Sequence, residues 1–181
     1  MNCQFSIRFF LLIILFYSFL SSCTHTRPHD DYLVSFTDES TDQYGYRDVK
    51  GVTVISPGKY TMCFTDTFRT YAVVLKPNSG FVAIDRQENV LYEVFPFDNG
   101  PDYVVEGFFR IIENNKIGFA DARTGKVVIP PQFDCVFPFE NGTARVSNDC
   151  TSRMDGEHKI WESEKWFYID KTGKTVNNPD K

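Results

Sequence analysis

The stretch that decides the fold is residues 116–146, KIGFADARTGKVVIPPQFDCVFPFENGTARV. An apolar run ends at Asp121, a turn that contains Gly125 follows, and β-branched residues return at 127–129. Aspartate side chains cap the amides of tight turns, glycine adopts the positive φ that such turns need, and β-branched residues favour strands. The stretch therefore predicts an antiparallel β-hairpin.

The same hairpin pattern occurs four times along the chain. Each copy begins with a bulky apolar residue, ends in aspartate, and is followed within four residues by one that tolerates positive φ. The copies occupy residues 44–48, 81–85, 117–121 and 166–170, and the turn residues are Gly51, Asn89, Gly125 and Gly173. A supersecondary unit that recurs in this way is typical of repeat proteins, in which neighbouring units bury a shared core.

A second repeated element is the hexapeptide FPFDNG at 95–100, which returns as FPFENG at 137–142. Proline is excluded from central strands and Asn-Gly favours turns, so each hexapeptide is predicted to be a corner between strands. Strands at 133–137 and 143–147 are expected to flank the second corner.

Residues 117–121, 125–134 and 139–146 together resemble one unit of the WG-repeat proteins. Such units read approximately as Trp-Gly-aromatic-Ile-Asp, Gly-Lys-aliphatic-Ile-Pro-Pro, an aromatic-Asp pair, and Phe-x-x-Gly-x-Ala-x-Val. The resemblance extends over residues 44–176 and implies an all-β fold of stacked antiparallel hairpin units, with no general enzymatic activity. No unit has an intact Trp-Gly pair: Tyr44-Gly45 and Ile117-Gly118 keep the glycine, and Trp166-Phe167 keeps the tryptophan.

The N-terminus has the pattern of a bacterial export signal. Arg8 precedes an apolar run at 9–20, which is shorter than the roughly 20 residues of a transmembrane helix. Residues 20–23, LSSC, resemble a lipobox, which implies cleavage before Cys23 and attachment of acyl chains such as palmitate to its thiol. Thr24, in place of aspartate, implies an outer-membrane lipoprotein that faces either the periplasm or the exterior. The alternative is an ordinary secretory signal cut near Ser22.

The predicted organisation is a signal peptide at 1–22, a polar tether at 23–31, a β domain at 32–176 and a tail at 177–181. Within the domain, residues 32–36 predict an opening strand that caps the first unit. The polar stretch 149–165 predicts an extended hairpin or loop between the third and fourth units.

Composition excludes two broad classes of protein. Apolar residues make up 42% and aromatic residues 16% of the 181 residues, which is enough for a packed core and excludes global disorder. The net charge is −5, and no local cluster of lysine and arginine overrides it, so nucleic acid is not an expected partner.

Histidine is too scarce to indicate catalysis or metal binding. His25 and His29 lie in the tether near acidic residues, but a flexible tether does not hold metal ligands in a fixed geometry. His158 is left for a nucleophile–histidine arrangement, and its neighbours are typical of a solvated turn. We therefore predict no catalytic residues, no metal site and no cofactor.

Carboxylates and cysteines lead to two further expectations. The pairs Asp98 with Asp102 and Glu162 with Glu164 could serve glycoside hydrolysis, but solvated surface acids are the better interpretation in so acidic a chain. After processing, the domain keeps Cys63, Cys135 and Cys150. Export permits oxidation, and the preferred disulfide joins Cys135 to Cys150, on opposite arms of one predicted hairpin.

The leading functional hypothesis is a non-catalytic binding module, held at the membrane by its N-terminal lipid and directed at another envelope protein or a glycan. Trp161 and Tyr103 lie outside the regular motif positions and are candidates for the contact surface, whereas Phe108 and Phe109 are assigned to the core. One alternative is a structural component of an envelope assembly, joined to its neighbours through open sheet edges. A hydrolase of glycans or peptides ranks below both.

Overall fold

The computed structural model describes residues 31–156 and 158–179, and all secondary structure in that part of the chain is β. The predicted signal peptide, Cys23 and most of the tether lie outside the described residues. No helix within the described ranges has the length and apolar character needed to cross a membrane.

Each repeat is a three-stranded antiparallel meander, so the predicted hairpin forms its second and third strands. The strands of the first two repeats are β1 (Leu33–Asp38), β2 (Gln43–Asp48), β3 (Thr53–Tyr60), β6 (Ala72–Lys76), β7 (Gly80–Ile84) and β8 (Val90–Val94). Those of the last two are β11 (Phe108–Glu113), β12 (Lys116–Asp121), β13 (Val127–Phe133), β15 (Thr143–Ser147), β18 (Phe167–Asp170) and β19 (Thr175–Val176). All four predicted hairpins are confirmed at the expected places.

Short strands connect the repeats. They are β4 (Met62–Cys63), β5 (Thr67–Phe68), β9 (Pro96–Phe97), β10 (Gly100–Pro101) and β14 (Cys135–Val136). The predicted extended hairpin is also present as β16 (Thr151–Asp155) and β17 (His158–Glu162), inserted between the first two strands of the fourth repeat. The opening strand predicted at residues 32–36 is confirmed as β1, and it pairs along its whole length with β2 as the first strand of the first meander and not as a separate cap.

The strands form a seven-stranded sheet in the order β13-β12-β11-β8-β7-β6-β4, two four-stranded sheets in the orders β3-β2-β1-β5 and β14-β15-β18-β19, and the pairs β9-β10 and β16-β17. Three core clusters connect successive repeats. The first contains Tyr46 and Val74 from repeats 1 and 2, and the second contains Phe119 and Val146 from repeats 3 and 4. The third joins repeats 2 and 3. Each repeat therefore buries its apolar residues against the next one.

The aspartate that ends each second strand caps the following turn. Asp121 Oδ1, for example, accepts hydrogen bonds from the amide of Thr124 at 2.7 Å and from its hydroxyl at 2.6 Å. The predicted positive φ is found at the three glycines, but in repeat 2 it belongs to Glu88 (φ 64°) and not to Asn89. Asn89 instead donates from its backbone and side-chain nitrogens to the Asp85 carboxylate, which positions it one residue beyond the left-handed turn residue.

The turn aspartates make stability depend on pH. Hydrogen bonds from the side chains of the turns lower the pKa of Asp85, Asp121 and Asp170 below the usual range for aspartate. A lowered folded-state pKa contributes stability above the unfolded pKa of about 4, and this stability is lost as pH falls through the folded value. We expect Asp121→Asn to lower the urea midpoint at pH 7, and the difference from wild type to shrink progressively as the pH falls below about 4. An equal difference between the two proteins at pH 7 and at pH 2.5 would contradict this origin.

The glycines of the incomplete Trp-Gly pairs are required by a close backbone crossing. A Cβ on Gly118 would lie 2.6 Å from the nitrogen of Pro131, and one on Gly45 would lie 2.7 Å from the carbonyl oxygen of Ile55. At both places the partner is an edge strand, β13 or β3, which carries prolines and is bulged against the glycine strand.

The two repeats without this glycine lack the crossing. Val82 occupies the position in repeat 2, where β8 carries no proline. Phe167 occupies it in repeat 4, where β19 ends at Val176. The glycine of the Trp-Gly pattern is therefore replaced in the two repeats where no proline strand crosses close to it.

Candidate functional site

The two hexapeptide corners sit in equivalent places and present an aromatic ring beside an arginine. The amide of Phe95 donates to the carbonyl of Arg110 at 3.0 Å, and the amide of Phe137 donates to the carbonyl of Arg145 at 2.9 Å. In each case the guanidinium carbon lies 4.3 Å from the centroid of that phenylalanine ring. The corners therefore repeat both a backbone contact and a cation–π contact.

At the first corner the arginine is buried and neutralised. Arg110 Nε and Nη2 donate to the two carboxylate oxygens of Asp102 at 2.9 and 2.5 Å, and Nη1 donates to the carbonyl of Val136 at 3.0 Å. The side chains of Arg110 and Asp102 are 4% and 2% exposed. The interpretation of Asp102 as a solvated acid is thus wrong, because the corner folds its carboxylate inward onto a buried guanidinium. Asp98, its partner in that prediction, is exposed.

At the second corner the arginine is exposed. The Arg145 guanidinium lies between two rings, 4.3 Å from the centroid of Phe137 and 4.8 Å from that of Trp166. Among the described residues no carboxylate forms an ion pair with it. Its hydrogen-bond donors are therefore accessible beside an aromatic surface.

The inserted β16–β17 hairpin places Trp161 between the corners. The indole packs edge-on against Phe95 and Phe137, with ring centroids 5.8 and 5.6 Å away. Sequence reasoning proposed Trp161 as a surface residue, but it is half-buried against the core of repeats 3 and 4 and so has a packing role as well. Its position is a consequence of the insertion, through which it contacts one phenylalanine of each hexapeptide.

The base of this hairpin is held by several cross-links. A disulfide joins Cys135 to Cys150, the pair that the sequence favoured, with their Cα atoms 6.3 Å apart. Lys165 Nζ lies 2.5 Å from Asp149 Oδ2, and this lysine lowers the pKa of the Asp149 carboxyl by hydrogen bonding and by its charge. These contacts fix where the chain leaves and rejoins the fourth repeat.

Tyr103, the other proposed contact residue, lies at the opposite end of the same surface. Its ring is 61% exposed and packs edge-on against Phe97, which is itself 45% exposed, with centroids 5.5 Å apart. Phe97 in turn lies 5.5 Å from the Arg110 guanidinium. Ring contacts and the shared contact of Phe95 and Phe97 with Arg110 thus link six rings in a row, which we call the aromatic ribbon: Tyr103, Phe97, Phe95, Trp161, Phe137 and Trp166.

The structure thus places Tyr103 and Trp161 in one row of rings. The sequence did not predict the other members of this site, which are Phe95, Phe97, Phe137, Trp166, Arg110 and Arg145. The repeated FPF hexapeptides carried the available signal, since each is followed by an arginine within a strand of apolar residues. Phe109 is buried and Phe108 partly buried in the core, which confirms their assignment.

Other groups in the described part of the chain do not assemble into a reaction centre. No cluster of His, Cys, Asp and Glu with metal-binding geometry occurs there. Glu162 and Glu164 are exposed, and Glu162 pairs with Arg153. Cys63 is buried outside any disulfide, and burial raises the pKa of its thiol, which disfavours a reactive thiolate. The side chain of His158 lies outside the described part.

Comparison with protein families identifies the repeat. A family described as "WG containing repeat" matches residues 117–149, which include β12 except its first residue, β13, β14, the second corner and β15. No curated protein and no solved structure matches the chain. This match identifies residues 117–149 as a WG-containing repeat, and the four meanders support the interpretation of the domain as an array of such units.

Proposed function

We propose that the protein is a non-catalytic, exported lipoprotein of the outer membrane that binds a glycan or another envelope protein through the aromatic ribbon. The observation that supports this proposal most strongly is the exposure of Phe97 and Tyr103 side by side, at 45% and 61%. Large apolar groups that stay together in solvent on a folded domain are typical of contact surfaces. Rigid aromatic side chains supply much contact area at a small entropic cost when they bind.

The rings are held in place before any ligand arrives. The disulfide and the Asp149–Lys165 pair position the hairpin that carries Trp161, and the Arg110–Asp102 pair positions the first corner. A preorganised surface loses less conformational entropy on binding than a flexible one. The ribbon therefore has the rigidity of a recognition surface.

Tryptophan fluorescence offers a direct test, because both tryptophans of the chain, Trp161 and Trp166, belong to the ribbon. We expect oligosaccharides from the cell envelope to shift the emission of the soluble domain. The double variant Phe97→Ala/Tyr103→Ala is expected to bind at least about tenfold more weakly, since hot-spot aromatics contribute about 2 kcal/mol or more.

Leu91→Ala provides the matched control, because Leu91 is 44% exposed on β8 and does not belong to the ribbon. It should bind like wild type. Equal affinities of the double variant and wild type, at unchanged melting temperature, would refute the ribbon as the binding surface.

Membrane attachment is a separate part of the proposal and rests on the sequence. Cys23→Ser removes the only thiol that the LSSC motif offers for acylation. We expect wild type to sediment with the outer membrane and the variant to be released or to remain as an uncleaved precursor. Metabolic labelling with a fatty acid should mark wild type alone. Incorporation of the labelled fatty acid into Cys23→Ser would mean that the acyl group is attached to another residue.

The exposed valines of two edge strands support assembly as a second candidate function. Val54 on β3 and Val128 on β13 are 50% and 39% exposed, and both strands end a sheet. An open edge can pair with a strand of a neighbouring protein. Cross-linking in intact cells that captures one stoichiometric partner at β3 or β13, with no partner at the ribbon, would favour this function.

A further inference from the structure

The contact between Asp102 and Arg110 at the first corner indicates how a ligand could bind Arg145 at the second corner. Arg110 and Arg145 share the same backbone hydrogen bond from a corner phenylalanine and the same 4.3 Å stacking distance. At Arg110 the chain supplies a carboxylate, Asp102, which accepts from two nitrogens of the guanidinium. This two-point geometry is the one in which arginine recognises carboxylates most strongly.

In the described part of the fourth repeat, no carboxylate pairs with Arg145 as Asp102 pairs with Arg110. Arg145 is exposed, and among the described residues its guanidinium lies over two aromatic rings. We propose that a carboxylate of the ligand binds Arg145 in the manner of Asp102, and that the ligand is a glycan with carboxylated sugars such as uronic acids. The inference rests on the proposed function of the aromatic ribbon and names the chemistry of its ligand.

The surroundings of Arg145 favour a sugar over an acidic peptide or a dense polyanion. Phe137, Trp161 and Trp166 form a run of rings with centroid separations of 5.6 and 5.3 Å. Their planes are inclined to one another by 81° and 55°, so the three rings offer differently oriented apolar surfaces beside Arg145, and the apolar face of a sugar ring can pack against them. The net charge of −5 opposes ligands that carry a charge on every unit of a flexible chain. A glycan with carboxylates on otherwise uncharged rings satisfies both conditions.

The experiment compares three probes with the soluble repeat domain, read by tryptophan fluorescence: a trisaccharide with a single glucuronic acid unit, the methyl ester of that trisaccharide, and a triglutamate peptide. We expect the acid to bind about tenfold more tightly than the ester, because a charge-assisted hydrogen bond contributes about 1.5 kcal/mol or more. The peptide should bind more weakly than the acid. Raising the salt concentration should reduce the difference between acid and ester.

Arg145→Gln should lower the affinity for the acid about tenfold and the affinity for the ester much less, which removes the preference for the acid. Arg145→Lys keeps the charge but not the two-point geometry and should retain part of the preference. Arg123→Gln removes the same charge from an exposed turn of the third repeat and should behave as wild type. Melting temperatures of all variants verify that each remains folded.

The possible results separate this inference from the proposed function. Equal, ribbon-dependent binding of acid and ester, or a preference for the acid that survives Arg145→Gln, would overturn the inference and leave the ribbon as a binding surface. Tighter, Arg145-dependent binding of the peptide would overturn the assignment to a glycan. Absence of binding by every probe, together with unchanged binding of envelope oligosaccharides by Phe97→Ala/Tyr103→Ala, would overturn both.

Discussion

Replacing Asp102 with asparagine is expected to destabilise the fold by about 3 to 5 kcal/mol, because it leaves the buried Arg110 cation without a counter-charge. Asparagine keeps the size of the side chain and can accept a hydrogen bond, so the loss comes mainly from charge. The guanidinium cannot respond by releasing its proton. Urea unfolding followed by circular dichroism measures the change.

Asp98→Asn is the matched control for this prediction. It removes the same charge from the same corner, at an exposed residue whose φ of 54° asparagine tolerates. We expect a change within about 0.5 kcal/mol. The double variant Asp102→Leu/Arg110→Met should recover much of the stability lost in Asp102→Asn, since matched apolar residues can replace a buried ion pair. A change for Asp102→Asn as small as that for Asp98→Asn would mean that the pair is not buried in solution.

Replacing Gly118 with alanine is the second change with a large expected effect. The new methyl group would meet backbone atoms of the facing strand, 2.6 Å from the nitrogen of Pro131 and 2.7 Å from the carbonyl carbon of Pro130. Backbone atoms fixed by two prolines cannot move aside as a flexible side chain can. Overpacking of this kind lowers the free energy of unfolding by about 1 to 3 kcal/mol. Because the partner strand is rigid, we expect the loss for Gly118→Ala to be about 3 kcal/mol or more. Thermal unfolding should show it as a lower Tm.

Gly100→Ala distinguishes the close crossing from a general effect of glycine replacement. Gly100 also lies in a strand, but a Cβ there would meet no atom within 4 Å. We expect its Tm to match or exceed that of wild type, because alanine reduces the entropy of the unfolded chain. Gly45→Ala, with its shortest contact at 2.7 Å, should fall between the two variants. Equal Tm values for Gly118→Ala and Gly100→Ala would contradict the crossing.

Local signals made the repeat predictable from sequence. The aspartate at the end of each second strand caps a turn, and in three of the turns a glycine adopts the positive φ. These interactions stay within about four residues of the chain, so a short stretch of sequence contains all the residues that make the turn. The sequence could therefore place every hairpin. It could not reveal that repeats 2 and 3 share one sheet, because that sheet depends on the pairing of Val94 with Ile111, which no local pattern specifies.

Only two residues of the candidate site, Tyr103 and Trp161, were predictable from the sequence. Tyr103 and Trp161 stood out because they interrupt the repeat, but a sequence does not show which of two neighbouring acids turns inward. Asp98 and Asp102 have the same side chain and lie in one corner, yet only Asp102 reaches Arg110. The contact forms because β11 presents the arginine from the interior of the sheet, which is a tertiary effect.

The crossing of a proline strand over a glycine has a consequence for the history of the repeats. A copy that loses the proline bulge no longer needs the glycine, and a copy that loses the glycine can no longer admit the bulge. Substitutions of the glycine in the second strand and of the proline in the third strand are therefore expected to covary among relatives. The second repeat, with Val82 and no proline in β8, has the composition of a copy in which both changes have taken place.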